Sequence, residues 1–283
     1  METSPFLPLP ERKGIFYLEL VIRDLVTFAA SKLLKLERKV KVAAVSYLNT
    51  KPLLYGFRNH PVMEMMELSM DYPAKIAQQL IDGEVDVALV PVAIIPKLKE
   101  YHIIADYCIG AEGPVASVCL YSDVPLNDIK RIYLDYQSRT SVALLKLLVR
   151  EYWKLDVELV PTTGDYQDKI KGTDAGLVIG DRALAQRKVS PFIYDLAENW
   201  MRFTSLPFVF AAWISNKSLP AAFVKEFNEA TGIGTQNIPA VVAENPYDLY
   251  DLTTYYIHNI SYPLTPAKRQ GMQKFLGYLQ EDK

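Results

Sequence analysis

Four short segments place hydroxyl, amide or glycine groups where an apolar run gives way to a turn, and such groups can hold a small anion. The first segment, residues 46–52 (SYLNTKP), carries Ser46 and Asn49 directly after a β-branched run. Ligands of open α/β sheets bind at the carboxyl ends of strands, so both side chains are candidates for substrate contact. Ser and Asn are also ordinary turn and capping residues, and spacing alone leaves both roles open.

The second segment, residues 135–141 (DYQSRTS), joins a predicted strand to a predicted helix. The hydroxyls of Ser138, Thr140 and Ser141, with the free N–H groups of a helix start, would form an anion site that the helix dipole strengthens. Arg139 would add a positive charge. Plain capping of the helix accounts for the same residues, so this interpretation also stays open.

The other two segments contribute three further candidates. Gly180 follows an apolar run, where glycine permits close backbone approach, and Asp181 would cap the next helix or face a ligand. Ser117 lies inside the apolar run 114–121, so its hydroxyl must point into a cleft or bond an internal partner.

Charge and motif content exclude several classes of protein. The 283 residues include 31 Lys and Arg against 33 Asp and Glu, a net charge of −2, whereas a nucleic-acid binder normally has a basic excess. Half of the residues are apolar and 23% are charged, the balance of an ordinary globular protein. A P-loop, a GxGxxG motif and a Ser/His/Asp set are absent from the sequence, which disfavours a nucleophilic hydrolase. The 18 tyrosines are scattered and receive no predicted role.

Cysteine and histidine usage argues against disulfide and metal sites. Cys108 and Cys119 form no CxxC pair, and the three histidines (His60, His102 and His258) form no HExxH motif. Neither a disulfide framework nor a zinc site is therefore expected. A reducing, cytoplasmic location fits this inventory.

Residues 1–39 differ from the rest of the chain. A Pro-rich start leads into apolar residues at helical spacing over 15–36, which predicts an appended amphipathic helix. Charged residues interrupt this stretch, so it is not expected to span a membrane, and its order of basic and apolar residues differs from that of a signal peptide. The alternatives are a helix lying on a membrane surface and a natural product that begins at Val40.

From residue 40 onward, strand and helix patterns alternate. The predicted strands are 40–47, 63–70, 86–93, 129–134, 156–160 and 175–179, and the predicted helices are 72–83, 138–153 and 165–171. This alternation predicts an α/β architecture with parallel sheets. Residues 219–279 are expected to be mainly helical.

Two apolar, strand-like runs, 114–121 and 206–215, break the alternation. If both are crossover strands, the chain leaves a first lobe near residue 115 and returns to it near residue 212. The predicted domains are then 40–115 with 212–283 as one lobe and 116–211 as the other. A cleft between two such lobes is a preferred place for a small ligand.

Six motifs, in order along the chain, resemble the chorismate dehydratase family of the futalosine route to menaquinone. They are SYLNTKPLLYG at 46–56, DVALVPV at 86–92, GPVASV at 113–118, SRTS at 138–141, IGDRAL at 179–184 and LPFVFAAW at 206–213. The resemblance extends from about residue 40 to the C-terminus. The family pattern does not call for residues 1–39.

This resemblance implies a fold and an activity. The fold is the periplasmic-binding-protein-like type II fold, with two α/β lobes, a ligand cleft between them and two crossover strands. The activity is that of a carbon–oxygen lyase, a hydro-lyase that converts chorismate to 3-[(1-carboxyvinyl)oxy]benzoate and water without a metal or other cofactor. The implied enzyme is cytoplasmic and takes chorismate as its small-molecule partner, with no nucleic acid and no stable membrane insertion. Its oligomeric state is left open.

The resemblance also assigns roles to residues. The family's Asn in SYLN corresponds to Asn49 and its Ser in GPVxS to Ser117, and both are expected to be catalytic. The SRTS turn at 138–141 is expected to bind a substrate carboxylate. Ser46, Gly180 and Asp181 lie within matching motifs and are further expected substrate contacts.

Two other functions remain open for the same fold. A solute-binding protein of a transporter would carry an export signal or a lipobox cysteine, and neither is seen in the sequence. The ligand-sensing domain of a transcription regulator would carry a helix-turn-helix, for which residues 1–39 are too short. Because a fold does not dictate a function, both are kept as alternatives.

Overall fold

The computed structural model of the protein describes residues 38–281, and the chain from Val40 onward folds as one compact unit. The helix predicted between residues 15 and 36 lies outside the described residues. The described strands are β1 (Val40–Val45), β2 (Met66–Asp71), β3 (Val87–Pro91), β4 (His102–Ala111), β5 (Val118–Ser122), β6 (Arg131–Leu134), β7 (Glu158–Pro161), β8 (Asp174–Ile179), β9 (Phe192–Asp195), β10 (Phe208–Ser215) and β11 (Ser261–Pro263).

Helices connect and cover these strands. The α-helices are α1 (Lys51–Tyr55), α2 (Val62–Met65), α3 (Pro73–Asp82), α4 (Arg139–Leu147), α5 (Asp181–Gln186), α6 (Leu196–Thr204), α7 (Ala221–Thr235), α8 (Ile238–Glu244), α9 (Leu252–Thr254) and α10 (Pro266–Glu281). Helices α4 and α9 continue into π-helical turns at Leu148–Trp153 and Tyr255–Asn259. Among the described helices, none has the combined length and apolar character needed to cross a bilayer.

The strands form two sheets. The six-stranded sheet has the order β11-β4-β10-β3-β1-β2, and the five-stranded sheet has the order β7-β6-β8-β5-β9. The predicted parallel pairing is present in both sheets. In the six-stranded sheet β1 runs parallel to β2 and β3, and in the five-stranded sheet β6 runs parallel to β7 and β8. Antiparallel pairs complete both sheets, with β10 between β3 and β4 and with β5 between β8 and β9. The α/β class predicted from the alternation is confirmed.

The chain passes between the two sheets twice. It leaves the six-stranded sheet after β4 and enters the five-stranded sheet at β5, and it returns through α6 to β10. The predicted crossover run 114–121 contributes β5 to the five-stranded sheet, and the run 206–215 contributes β10 to the six-stranded sheet. The crossings themselves use residues 112–117 and helix α6. The division into lobes at residues 115 and 212 stays a prediction.

Helix α3 shows how local signals set the elements. Pro73 occupies its first turn, where a missing N–H costs nothing, and Gly83 ends it with φ +74°. The Gly83 N–H bonds the carbonyls of the last turn, as a left-handed C-terminal cap does. Ile76 and Leu80, one turn apart, are fully buried against β3 and β1. The helix predicted over 72–83 is confirmed with nearly the same bounds.

Three sequence predictions need correction. The strand predicted over 63–70 begins only at Met66, because Val62–Met65 form helix α2. The helix predicted over 165–171 is only a 3-10 turn, Gln167–Lys169. Its flanking residues, Tyr166 and Ile170, leave helical geometry and pack their side chains directly over Gly176 of β8, which has no side chain to obstruct them. Tertiary packing therefore overrides local helix preference here. Residues 102–111 were assigned no element from the sequence, and there β4 forms ten residues of the six-stranded sheet.

Candidate functional site

A cleft collects residues from both sheets and from the turns between strands and helices. Apolar side chains from β1, β3, β4, β8 and β10 form most of its surface. The residues that bring polar groups or close backbone to it are Tyr47, Asn49, Ser117, Ser138, Ser141 and Gly180. Five of the nine predicted site residues therefore line one cavity, although 131 positions separate the first from the last.

Ser117 is fixed by its backbone neighbours. Ala116, which precedes it, has φ +63°, a left-handed conformation that is unfavourable for alanine. The Asp195 carboxylate accepts the Ala116 N–H at 2.8 Å, and the Ser117 carbonyl accepts the Gly180 N–H at 2.8 Å. Burial raises the pKa of Asp195, and backbone N–H groups that bond its charged form oppose the rise. The unusual turn thus persists because buried hydrogen bonds hold it on both sides.

The Ser117 side chain is fully buried and has a phenol partner. The Tyr255 hydroxyl donates to Ser117 Oγ at 2.8 Å, and the Tyr255 ring is itself fully buried. Burial raises the pKa of the Tyr255 phenol, while hydrogen bonds of its oxygen to Ser117 and to the Asn49 side chain oppose that rise. The phenol therefore keeps its proton at neutral pH and remains a donor.

Asn49 lies on the 3-10 turn Leu48–Thr50 that follows β1, and only 9% of it is exposed. Thr50 Oγ1 donates to Asn49 Oδ1 at 3.2 Å. The Tyr262 hydroxyl donates to the Asn49 backbone carbonyl at 3.0 Å. We call Asn49 and Ser117 the tyrosine-held pair. Tyr262 bonds Asn49, Tyr255 bonds Ser117, and Tyr255 also reaches the Asn49 side chain.

Ser138 and Ser141, the cap pair, are held within one helix turn. Ser138 is the N-cap of α4, and its Oγ accepts the Ser141 N–H at 3.1 Å. The Ser138 hydroxyl also donates to Ser141 Oγ at 2.8 Å. Both hydroxyls line the cleft beside the start of α4, where the helix dipole favours negative charge.

Four predicted site residues are not among those that line the cleft. Ser46 is exposed, and Arg139 is half-buried away from the lining. Thr140 is fully buried, and its Oγ1 accepts the Ala93 N–H at 3.1 Å, so it links α4 to the six-stranded sheet. Asp181 accepts the Leu48 N–H at 3.2 Å and so ties the Asn49 turn to the end of β8. Burial raises the pKa of Asp181, with the Leu48 bond acting against it.

Gly180 has a conformational reason for its place in the cleft. Its φ is +65°, which favours glycine, and a side chain there would meet the Tyr47 ring. The Tyr47 hydroxyl donates to Gln137 Oε1 at 2.5 Å. A contact thus joins the turn after β1 to the turn after β6, beside the cleft.

A buried ion pair supports the turn that carries the cap pair. The Asp135 carboxylate, 2% exposed, accepts two bonds from Arg182 Nη2, at 2.9 and 2.8 Å. It also accepts the Tyr166 hydroxyl at 3.0 Å and the Gln137 N–H at 2.9 Å. A buried carboxylate that accepts several hydrogen bonds in this way holds its backbone segment in one place. The sequence analysis assigned no role to Asp135 or to its partners.

The tyrosines that hold Asn49 and Ser117 were also missed. Tyr255 and Ser117 are 138 positions apart, and Tyr262 and Asn49 are 213 positions apart. The sequence carries no local signal for such a pair. Only the folding of the C-terminal segment against the cleft brings them together.

Groups that could bind a metal lie outside the cleft. Among the described residues, His60, Glu226 and Glu229 place ligand atoms within 4.8 Å of one another, and none of the three lines the cleft. His60 Nδ1 accepts the Val62 N–H at 3.3 Å, which leaves the proton of the neutral ring on Nε2, the atom that faces Glu226. Cys108 is fully buried, which raises the pKa of its thiol to about 12.

The chemistry of the cleft follows from what lines it. Hydroxyl and amide side chains in the lining can form hydrogen bonds, and apolar side chains cover the rest. Within the described part of the chain, no carboxylate, imidazole, amine, guanidinium or thiol belongs to the lining. Such a site can hold an anion and stabilise developing negative charge, but its lining offers no strong protein base.

Comparison with known proteins gives consistent results. The family model described as menaquinone biosynthesis matches residues 40–281. The chorismate dehydratase of Thermus thermophilus is 28% identical over 258 residues, with 81% of this chain and 91% of that protein covered. The chorismate dehydratase of Campylobacter jejuni is 26% identical over 244 residues, with 82% and 94% covered.

Solved structures show the same fold. A protein of Archaeoglobus fulgidus superposes with a TM-score of 0.69 at 16% identity, covering 86% of this chain and 97% of that one. A Candida albicans protein described as having the generic periplasmic binding protein fold superposes with a TM-score of 0.56 at 13% identity, covering 86% and 90%. The periplasmic-binding-protein-like fold expected from the sequence is confirmed.

Proposed function

We propose that this protein is a chorismate dehydratase, because the chain belongs to the menaquinone biosynthesis family, whose model matches residues 40–281. The two relatives of that name, which this chain matches over most of their length, support the proposal. The reaction converts chorismate to 3-[(1-carboxyvinyl)oxy]benzoate and water and belongs to the hydro-lyases. We place it in the cytoplasm, in keeping with a biosynthetic role and with two buried, unpaired cysteines.

The chemistry suits a site made of hydrogen-bond donors. Chorismate carries a hydrogen on the ring carbon that bears the ether and a hydroxyl on the next ring carbon. A base takes that hydrogen as a proton, and the C–H electron pair spreads into the ring and its carboxylate as a dienolate. The C–O bond then breaks, the ring becomes aromatic, and the departing hydroxide takes up a proton to become water. Donors aimed at the carboxylate and at the departing oxygen would lower both barriers.

The lining of the cleft carries this assignment, because it combines two pairs of donors with no strong protein base. We assign the tyrosine-held pair, Asn49 and Ser117, to orienting the substrate and donating to the departing hydroxyl. We assign the cap pair, Ser138 and Ser141, to a substrate carboxylate at the start of α4. We assign Gly180 to a position where the ring of chorismate can approach the backbone closely.

The proton acceptor follows from the same lining. We propose that the enolpyruvyl carboxylate of chorismate, held over the ring, removes the ring proton. Conversion of that carboxylate alone to its methyl ester should abolish turnover while the ring carboxylate still binds. Unimpaired turnover of the ester would show that a protein group is the base.

The direct test is to mix the purified full-length protein with chorismate and follow the product by chromatography and mass. A species one water lighter that is lost in Asn49→Ala, with the fold intact by circular dichroism, would establish the activity. Tight binding of chorismate without conversion would instead favour a solute-binding or sensor protein on this fold. If chorismate neither binds nor is converted, the assignment is refuted.

A further inference from the structure

Tyr255 lies against the tyrosine-held pair but has no role in the proposed chemistry. Its ring is fully buried, and its hydroxyl donates to Ser117 Oγ at 2.8 Å and reaches the Asn49 side chain. Asn49 follows β1 of the six-stranded sheet, whereas Ser117 lies on the segment that crosses to the five-stranded sheet. One phenol oxygen therefore joins the two members of the tyrosine-held pair.

The turn that carries Tyr255 is fastened at both ends. Asp251 caps the preceding helix α9, with its Oδ1 accepting the Thr254 N–H at 2.6 Å. Asn259, at the end of the turn, donates from Nδ2 to the Pro114 carbonyl at 3.0 Å. The second bond reaches the same crossing segment that bears Ser117. These two contacts therefore help to set the distance between the phenol and Ser117.

The direction of the Tyr255 bond decides what Ser117 can do. A serine hydroxyl has one proton to donate and two lone pairs that accept. When Tyr255 donates to Ser117 Oγ, the Ser117 proton is free for an acceptor in the cleft. Donation into Ser117 Oγ also polarises its O–H bond, so Ser117 becomes a stronger donor.

We propose that Tyr255 is a positioning residue, which holds Ser117 and Asn49 together and turns the Ser117 proton toward the departing hydroxyl of the substrate. This inference rests on the proposed dehydratase function for its kinetic consequence. Its structural part, the orientation of Ser117, stands apart from any activity.

The kinetic test uses Tyr255→Phe in the full-length chain. Phe keeps the ring that packs against Tyr250 and Tyr256, so the variant should fold. We expect kcat for chorismate to fall about tenfold while KM stays within about twofold, since the lost contact acts on the departing group. Tyr256→Phe is the matched control, because the Tyr256 hydroxyl has no partner in the described part of the chain and does not line the cleft.

A double-mutant cycle separates positioning from general loosening. In the Ser117→Ala background, Tyr255→Phe should lower kcat by less than about twofold, because the group that it positions is already gone. An unchanged kcat in Tyr255→Phe, or a loss that simply multiplies with that of Ser117→Ala, would overturn the proposal.

An atomic-resolution crystal structure tests the orientation without any turnover. Ser117 should occupy one rotamer in the wild type and at least two in Tyr255→Phe. A single unchanged rotamer in the variant would overturn the proposal. If the wild type fails to convert chorismate but the Ser117 rotamers behave as expected, the proposed function falls and the positioning role of Tyr255 stands.

Discussion

The tyrosine-held pair and the cap pair line the same cleft but are held in different ways. Ser138 and Ser141 bond each other and the backbone within three positions of the chain. Ser117 and Asn49 depend on Tyr255 and Tyr262, which lie more than a hundred positions away. The first arrangement needs only two serines three positions apart at a helix start, whereas the second requires the C-terminal segment to be in place.

The two pairs are therefore sensitive to different substitutions. Loss of a local cap weakens one helix end, and neighbouring N–H groups or water replace part of the bond. Loss of a buried long-range bond leaves a partner without replacement, because no water reaches it. We therefore expect changes around Ser117 to affect activity and stability more than changes around Ser138.

The largest effect is expected for Ser117→Ala. Removal of a donor aimed at developing charge should lower kcat about 100-fold. Ser122→Ala is the matched control, since Ser122 is equally buried at the far end of β5, the strand that follows Ser117, and its Oγ accepts the Val124 N–H. Steady-state assays with chorismate measure both variants. Equal kcat values for Ser117→Ala and Ser122→Ala would contradict a role for the Ser117 hydroxyl in the reaction.

The next effect concerns Asp195, which supports Ser117 from behind. Asp195→Asn should lower the free energy of unfolding by about 1–3 kcal/mol, because an amide cannot accept from Ala116 and from both α6 N–H groups at once. Asp251→Asn provides the local counterpart, since Asn is an equally good N-cap, and it should leave the free energy of unfolding nearly unchanged. Urea denaturation measures both. A smaller loss for Asp195→Asn than for Asp251→Asn would contradict the long-range argument.

Ser138 separates capping from anion binding. Ser138→Ala should cost about 1 kcal/mol of stability, whereas Ser138→Asp keeps the cap at little cost. Ser138→Asp places a negative charge where we propose a substrate carboxylate, so its KM for chorismate should rise about tenfold or more. Thermal unfolding and kinetics on the two variants test this. A wild-type KM in Ser138→Asp would move the carboxylate away from the cap pair.

The smallest effect concerns pH. Burial raises the pKa of Asp195 above its ordinary value of 3.8, so the folded chain holds that proton more tightly than the unfolded chain. The contribution to stability is present below pH 3.8 and is lost as pH rises through the raised pKa. Urea denaturation across this range should show the wild type losing stability relative to Asp195→Asn as pH rises. The prediction is refuted if the free energy of unfolding of the wild type, relative to that of Asp195→Asn, stays constant or increases as pH rises.

Much of the architecture was accessible from patterns in the sequence. Apolar runs at 40–47, 86–93 and 175–179 became β1, β3 and β8, and the helix before Gly83 ended where glycine was expected to end it. These elements follow from alternation and capping, which are properties of neighbouring residues. Strand β4 was missed, and the 3-10 turn at Gln167–Lys169 was predicted as a helix, because contacts with distant strands decided both.

The site divides in the same way. Asn49, Ser117, Ser138, Ser141 and Gly180 were candidates by residue type and position, and the fold brings all five to one cleft. Their roles in binding and catalysis remain predictions. Thr140 was grouped with its neighbours, but the helix turns its hydroxyl toward Ala93 instead.

The cap pair, the glycine at 180 and the alternation that builds the two sheets follow from local sequence, because each depends on residues close along the chain. The contacts of Tyr255 with Ser117, of Tyr262 with Asn49 and of Asp195 with the left-handed Ala116 arise only from the packing of distant segments. The physical reason is that a buried hydrogen bond needs a partner within about 3 Å in space. Which distant segment supplies that partner is set by how the sheets and the C-terminal segment pack together.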